Sequence, residues 1–417
     1  MKVDSTDEWP ALDEAGRSFL SEALGTAPAA TTEAAFALAS NEALGVPPES
    51  TAAAPPPAGA AGASLAGLRE LLAAAIGARA SDLHLSAGRC PVLRVDGELR
   101  ALGGAAVLSA HDLVQLTGSL LSADQRRAFD ETGDVDLGFE ADIDGSMRRF
   151  RVALYQQTQG PAAAIRIVPE SIPSLEQLGL PPTLRALTSL PAGLVLVTGP
   201  TGSGKSTTLA ALIDEINRHR TLHVLTVEDP IEYRHRDRRS VVNQREIGID
   251  TASFAHAVRH ALRQDPDVIL IGELRDLETI RIALTAAETG HLVFATLHSA
   301  DTASAVNRII DVFPGDQQAQ IRSQLALSLM AVVSQRLLPG LQGGRVAMTE
   351  VMIATTGVRN LIRESKTHQL PTLLETGSES GMHTFDQSLT ALVRGRLVDV
   401  AVARSVASPA LQERLLS

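Results

Sequence analysis

An α/β architecture is predicted for this chain: a small α+β domain followed by a nucleotide-binding domain built on a parallel sheet. Three observations predict it. Residues 199–206 read Gly-Pro-Thr-Gly-Ser-Gly-Lys-Ser, a complete G-x-x-x-x-G-K-[ST] phosphate-binding loop set between an apolar run and an amphipathic one. Apolar runs at 194–197, 224–227, 268–271 and 292–294 alternate with segments long enough for crossover helices, as strands buried on both faces of a parallel sheet do. Upstream of them, period-two segments flank Asp96-Gly97 and Asp144-Gly145, the signature of hairpins rather than crossovers.

The 417 residues suffice for two or three domains. Residues 1–63 read as a disordered extension. From about 25 onward they are mostly Ala, Pro, Thr and Ser, including Pro55-Pro56-Pro57, and such a stretch buries too little surface to offset its ordering entropy. Within the extension, Leu12, Phe19, Leu20 and Leu24 supply one face of a short helix over 12–23. Order is expected from Ser64, where Leu65, Leu68, Leu71, Leu72 and Ile76 recur at helical spacing. The small domain then covers 64–178 and the nucleotide-binding domain 179–417. In the latter, Leu209, Leu212, Ile213 and Ile216 give the helix after the phosphate loop an apolar stripe. The section from 315 to about 395 is expected to be mostly helical.

Composition excludes several classes. No stretch approaches the ~18 consecutive apolar residues that cross a bilayer, and the first ten residues are acidic where a signal peptide is basic. The chain is therefore expected in the cytoplasm, reaching a membrane only through a partner. A single cysteine, Cys90, precludes an internal disulfide and a cysteine-rich zinc site. The net charge of −11 argues against direct nucleic-acid binding. Arg234-His235-Arg236 and Arg238-Arg239 read as a solvated face.

The chemistry expected is that of a nucleoside triphosphate. Gly199, Pro200, Thr201, Gly202, Ser203 and Gly204 let successive N–H groups point at phosphate oxygens, and the helix N-terminus behind them adds its positive dipole end. Lys205 supplies a charge to the β- and γ-phosphates, Ser206 a hydroxyl to Mg²⁺, and Thr207 completes the binding segment. Cleaving the γ-phosphate needs a metal, an oriented water and a cation more than covalent help. Candidates follow the predicted strands, where ligands bind in open α/β sheets. Glu228-Asp229-Pro230-Ile231-Glu232 follows the second strand and is able to hold a metal-bound water or to orient the attacking one. Glu273 closes the third, in Ile271-Gly272-Glu273, and His298 the fourth, as a γ-phosphate sensor, neutral or protonated. Alone, an Asp-Pro marks a turn and such a histidine a satisfied loop residue; joined in order to a phosphate loop they read as functional. Glu228, Asp229, Glu273 and Ser206 are the expected Mg²⁺ ligands, and which carboxylate is the base stays open. For the cation, Arg259 and Arg263 are four apart in a helical segment, while Arg149, Arg151 and Arg166 lie on predicted strands.

Four longer signatures resemble the type II/type IV secretion motor ATPases, and within them the PilT-like retraction ATPases of type IV pili. Residues 80–85 with Arg94-Val95-Asp96-Gly97 resemble the opening of the family's N-terminal domain, and 227–233 its Asp box. Residues 265–273 resemble its Walker B element, and Glu288-Thr289-Gly290-His291 through 296–299 its His box. The resemblance spans about 65–400. It implies a homo-hexameric ring of PAS-like and RecA-like domains, with ATP and Mg²⁺ bound between them. It implies catalytic roles for His291 and His298, phosphate contacts from Arg151 and Arg166, and a subunit boundary near Arg259 and Arg263. It further implies work on an inner-membrane platform protein at the cytoplasmic face. Assembly and secretion members carry a four-cysteine zinc insertion that one cysteine cannot build. Residues 357–364, Gly-Val-Arg-Asn-Leu-Ile-Arg-Glu, resemble the Ala-Ile-Arg-Asn-Leu-Ile-Arg-Glu motif associated with retraction. By periodicity they form an amphipathic helix with Val358, Leu361 and Ile362 inward and Arg359, Arg363 and Glu364 outward. The alternatives are an assembly or secretion motor of the same family, or a nucleotide-gated binding module.

Overall fold

The computed structural model describes residues 67–414 apart from 119, 169 and 170. The extension expected over 1–63, its short helix and the onset of order at Ser64 lie outside the described residues. Two compact units divide the chain, the smaller ending at Ser171 and the larger running from Ile172. The larger unit takes up the chain ahead of the expected residue 179 because Leu175 and Leu180 are already buried in its core.

The smaller unit begins with helix α1 (Leu68–Gly77), whose Leu71, Leu72 and Ala75 face inward at helical spacing. Strands β1 (Asp82–Ser86), β2 (Val92–Val95) and β3 (Glu98–Ala101) follow, then helices α2 (Ala110–Gly118) and α3 (Ala123–Thr132). Strands β4 (Asp134–Ile143), β5 (Ser146–Gln157) and β6 (Gly160–Ile167) complete an antiparallel sheet of order β3-β2-β1-β6-β5-β4. Both Asp-Gly turns take two consecutive positive φ values, 51° and 90° at Asp96-Gly97 and 53° and 81° at Asp144-Gly145. That geometry matches the right-handed twist of the strands they join. Register places Arg94, Asp82, Arg166 and Arg151 in one row across β2, β1, β6 and β5.

The larger unit continues with α4 (Thr183–Leu187), β7 (Gly193–Thr198), α5 (Lys205–His219), β8 (His223–Glu228), β9 (Val241–Glu246) and α6 (Phe254–Ala261). Next come β10 (Val268–Ile271), α7 (Leu277–Glu288), β11 (Leu292–Leu297), α8 (Thr302–Asp311), α9 (Gln318–Ser328), β12 (Leu329–Pro339) and β13 (Arg345–Ile353). Helices α10 (Thr356–Arg363), α11 (Leu370–Thr376), α12 (Phe385–Arg394), α13 (Val400–Val406) and α14 (Pro409–Arg414) close the unit. Its seven strands run in the order β13-β12-β7-β11-β10-β8-β9, all parallel except β13. The four apolar runs are β7, β8, β10 and β11. Every residue of β7, β10 and β11 is buried, which is why they lack alternation. No helix among the described residues is long and apolar enough to cross a membrane.

Three expectations are corrected. The section from 315 to 395 is not mostly helical: β12 and β13 form a long hairpin within it, with β12 lying beside β7. The β12 sequence reads Leu-Met-Ala-Val-Val-Ser-Gln-Arg-Leu-Leu-Pro, mixing helix formers with two valines, and an apolar run without strict alternation has no period that separates strand from buried helix. Strand β9 was not anticipated, because its Asn243, Gln244 and Arg245 break any apolar run. In α10, Val358 and Ile362 are buried as expected, but Arg359 turns inward. Its guanidinium donates to the carbonyls of Ala326 (2.7 Å), Leu327 (2.6 Å) and Ala354 (2.7 Å). The carbonyls at the end of α9 have no partner within their own helix and carry partial negative charge, so a cation caps them.

The segment between β8 and β9 is strapped across the end of α5 by the fully buried Asn217. Its Nδ2 donates to the Arg236 carbonyl (2.8 Å), its Oδ1 accepts from the Arg238 N–H (3.0 Å), and its carbonyl accepts from the Arg239 N–H (2.9 Å). Asn217→Ala keeps the last bond and orphans two backbone groups. It should lower stability by about 1–3 kcal/mol in urea titration and speed amide exchange at Arg238; unchanged exchange there would refute the strap.

Candidate functional site

Because β7, β8, β10 and β11 are parallel and in register, their C-terminal ends share one edge of the sheet, and the predicted chemistry gathers there. The phosphate loop leaves β7 at Thr198 and enters α5 at Lys205. Its glycines are required by space as well as by φ. Gly199 has φ 146°, and a Cβ there would stand 2.3 Å from the Gln335 carbonyl oxygen; at Gly204, φ 89°, it would stand 2.7 Å from Gln335 Nε2. Gln335, buried on β12, therefore forms the floor of the loop, and its Oε1 accepts from Thr208 Oγ1 (2.8 Å).

Lys205 is folded over the loop, its Nζ donating to the carbonyls of Gly199 (2.8 Å) and Pro200 (3.0 Å). Burial lowers its pKa, opposed by the charges of Glu273 and Glu232. Those carbonyls occupy the ammonium much as phosphate oxygens would. Thr207 Oγ1 is 3.0 Å from Tyr233 Oη, which ties the first turn of α5 to the segment beyond β8.

Glu273 and His298 are brought together by the β10–β11 register, 3.4 Å between Oε1 and Nε2. The turn carrying Glu273 is held by the Leu274 N–H on the Thr296 carbonyl (3.0 Å) and by Thr296 Oγ1 on the Gly272 carbonyl. The Ser299 N–H donates to Thr198 Oγ1 (2.9 Å), locking the exit of β11 to that of β7. Arg275 Nε donates to Glu273 Oε2 (2.7 Å), and the Arg275 guanidinium is 3.9 Å from Asp229. Glu228 sits deeper. Its Oε1 accepts from Thr226 Oγ1 (2.6 Å) and Gln244 Nε2 (3.1 Å). Burial pushes its pKa up, these hydrogen bonds offset part of that, and the neighbouring Glu232 charge adds to it.

Several expected members are elsewhere. His291 precedes β11, at the opposite end of that strand from His298, and its Nδ1 lies 3.0 Å from the Ala286 carbonyl. Six strand residues separate the two histidines by about 20 Å, so they do not share a site within one subunit. Helix α6 ends at Ala261, before the left-handed Asp265 (φ 55°) and Pro266. Arg263 is thus an exposed turn residue and does not share a helical face with Arg259, which pairs with Glu278 in the first turn of α7. Arg166 Nε donates to Asp82 Oδ1 (2.8 Å). Burial raises the Asp82 pKa, but the bonds from Arg166 and Ser81 outweigh it and hold that carboxyl low. Among the described residues no three His, Cys, Asp or Glu side chains converge as metal ligands. Glu228 is turned into the sheet while the adjacent Asp229 is exposed.

Gln335, Gln244, Tyr233 and Arg275 were missed. The available signal was Ser334-Gln335 interrupting an apolar run, a polar pair that has to be satisfied wherever it is buried.

A type II/IV secretion system protein family model matches residues 63–343. The chain is 47% identical over 340 residues to the type IV pilus retraction ATPase PilT of Pseudomonas aeruginosa, covering 82% of this chain and 98% of the relative. It is 49% identical over 315 residues to a twitching motility protein of Neisseria gonorrhoeae, covering 75% and 83%. A crystal structure of the pilus retraction motor PilT with bound ADP superposes with a TM-score of 0.76 at 44% identity, covering 84% of this chain and 99% of the other.

Gly199→Ala should weaken ATP binding at least tenfold in a fluorescent-nucleotide titration, since the new Cβ collides with β12 backbone; wild-type affinity would show that the loop does not hold the nucleotide. A second expectation concerns pH. An acid whose folded pKa is raised costs stability when ionised: the deficit opens above the unfolded value, about 4.3 for Glu, and is full above the folded one. Glu228→Gln should raise Tm at pH 8, with the gain closing toward pH 4; a pH-independent difference would contradict the burial of a charge there.

Proposed function

Because the chain belongs to the type II/IV secretion system protein family, we propose that it is an ATP-hydrolysing motor whose work is the retraction of type IV pili. The observation that carries this is the convergence, on one sheet edge, of a complete phosphate loop with the Glu273–His298 pair and the buried Glu228. A binding module needs the loop alone, whereas hydrolysis needs the carboxylates. Retraction as the direction of work rests on the two relatives near half identity and on residues 357–364.

In the mechanism that follows, Lys205 exchanges the carbonyls of Gly199 and Pro200 for the β- and γ-phosphates of ATP. The N–H groups of the loop and of the first turn of α5 add partial positive charge at no reorganisation cost. Glu273, aligned by Arg275, orients the water that attacks the γ-phosphorus, and Glu228 serves as a second acceptor in the same network. His298, within reach of Glu273, reports whether the γ-phosphate is present. Ser206 and one of the carboxylates would hold Mg²⁺, hard-oxygen ligands of the kind that ion takes. When bound, that ion neutralises charge developing on the phosphoryl oxygens. Arg259 and Arg263 lie toward a neighbouring subunit. In this reading the smaller unit is PAS-like and the larger RecA-like. The active species is a homo-hexamer pushing on a platform protein at the cytoplasmic face of the inner membrane.

Purified protein should release phosphate with Mg²⁺-ATP. Lys205→Ala should lose nucleotide binding, while Glu273→Gln binds ATP and turns over at least a hundredfold more slowly. In the native host, deletion should leave excess surface pili by electron microscopy, corrected by wild type and not by Glu273→Gln. Bald cells would reassign the motor to assembly or secretion, and equal turnover in Glu273→Gln would move the catalytic role to Glu228 or Glu232.

A further inference from the structure

The strap across the end of α5 is a basic platform that the nucleotide chemistry does not use. Arg234, Arg236, Arg238 and Arg239 are exposed on it, and Arg218 is exposed on the last turn of α5 beside it. Asp214 is buried and shared between Arg218 (2.6 Å) and Arg238 (3.7 Å), and Asp237 turns its carboxylate back onto the Val242 N–H (3.0 Å). The platform is fixed, not fluid: Asn217 holds three of its backbone groups, and Ser240 Oγ donates to the Arg220 carbonyl (2.6 Å) while accepting from the Leu222 N–H (3.1 Å). Next to it Val241 opens β9, the terminal strand of the sheet, and is 52% exposed. Five exposed arginines beside one exposed valine thus stand on a chain whose net charge is −11.

We propose that this platform is the docking surface for the acidic N-terminal segment of the chain itself, residues 1–24. That segment carries Asp4, Asp7, Glu8, Asp13, Glu14 and Glu22 against Lys2 and Arg17, with Trp9, Leu12, Phe19 and Leu20 between them. Its charge is opposite to that of the strap arginines, and its apolar side chains have the exposed Val241 to cover. The residues that join it to the described chain, 25–66, span up to about 140 Å when extended, so length sets no bar. Any single exposed ion pair contributes little. Several exposed arginines on one fixed surface act together, and tethering raises the effective concentration of the segment to the millimolar range.

Trp9 is the only tryptophan in the chain, so its fluorescence in the intact protein reports on the segment alone. At about 50 mM NaCl its anisotropy should be high and acrylamide quenching low; at about 0.5 M, where screening is several times shorter in range, quenching should at least double. Arg236→Glu with Arg239→Glu should give the high-salt values at low salt. So should Asp7→Lys with Glu8→Lys, which leaves the strap itself unaltered. Combining the two pairs should restore the wild-type signal, which simple misfolding of the strap variant would not do. Quenching that neither salt nor either pair changes, or a combination that fails to restore it, would overturn the proposal. It would also be overturned if Trp9 were freely quenched at both salts while the protein bound phosphatidylglycerol vesicles or single-stranded DNA in an Arg236-dependent way.

Discussion

The parallel register of β7 with β11 on one side and β12 on the other is the constraint on which the rest of the larger unit depends. Thr198 faces Leu297 across one ladder and Ser334 across the other, so the loop that leaves β7 emerges between two fixed strand ends. From β12 comes the Gln335 backbone that fills the space under Gly199, and from β11 the exit that carries His298. The phosphate loop is therefore shaped by three strands, not by its own glycines alone. A shift of one residue in either ladder would turn every buried side chain of that strand to the other face.

Charge is distributed around this frame with little slack. Lys205 is drawn into a partly desolvated position and held by two carbonyls, with Glu232 and Glu273 near enough to favour its cation. Glu228 is accepted in the interior only because Thr226 and Gln244 donate to it. Incoming phosphates would add negative charge to a site that already holds three carboxylates. The lysine, the loop N–H groups and the α5 dipole are what make that tolerable.

Away from the site, two arginine-rich features differ in how they are used. In α10, Arg359 is consumed by the carbonyls that end α9, so within residues 357–364 the side chains left at the surface are Asn360, Arg363 and Glu364. On the strap the arginines stay exposed over a backbone pinned by Asn217. The first arrangement stabilises the fold; the second presents charge outward.

By itself the sequence determined what rests on local chemistry. The phosphate loop, both Asp-Gly hairpins and the four buried strands follow from residue types at fixed spacing, and Glu273 and His298, placed after two of those strands, do lie side by side. Tertiary structure decided the rest. An apolar stretch without alternation became β12 because it docks beside β7, and Gln335 reached the loop only through that docking. His291 and His298, seven apart in sequence, fell at opposite ends of one strand, because an extended chain separates residues that a helix would bring together. Arg259 and Arg263 parted because α6 stops at Ala261. Periodicity reports which face of an element is apolar, and it cannot report which element lies next to it.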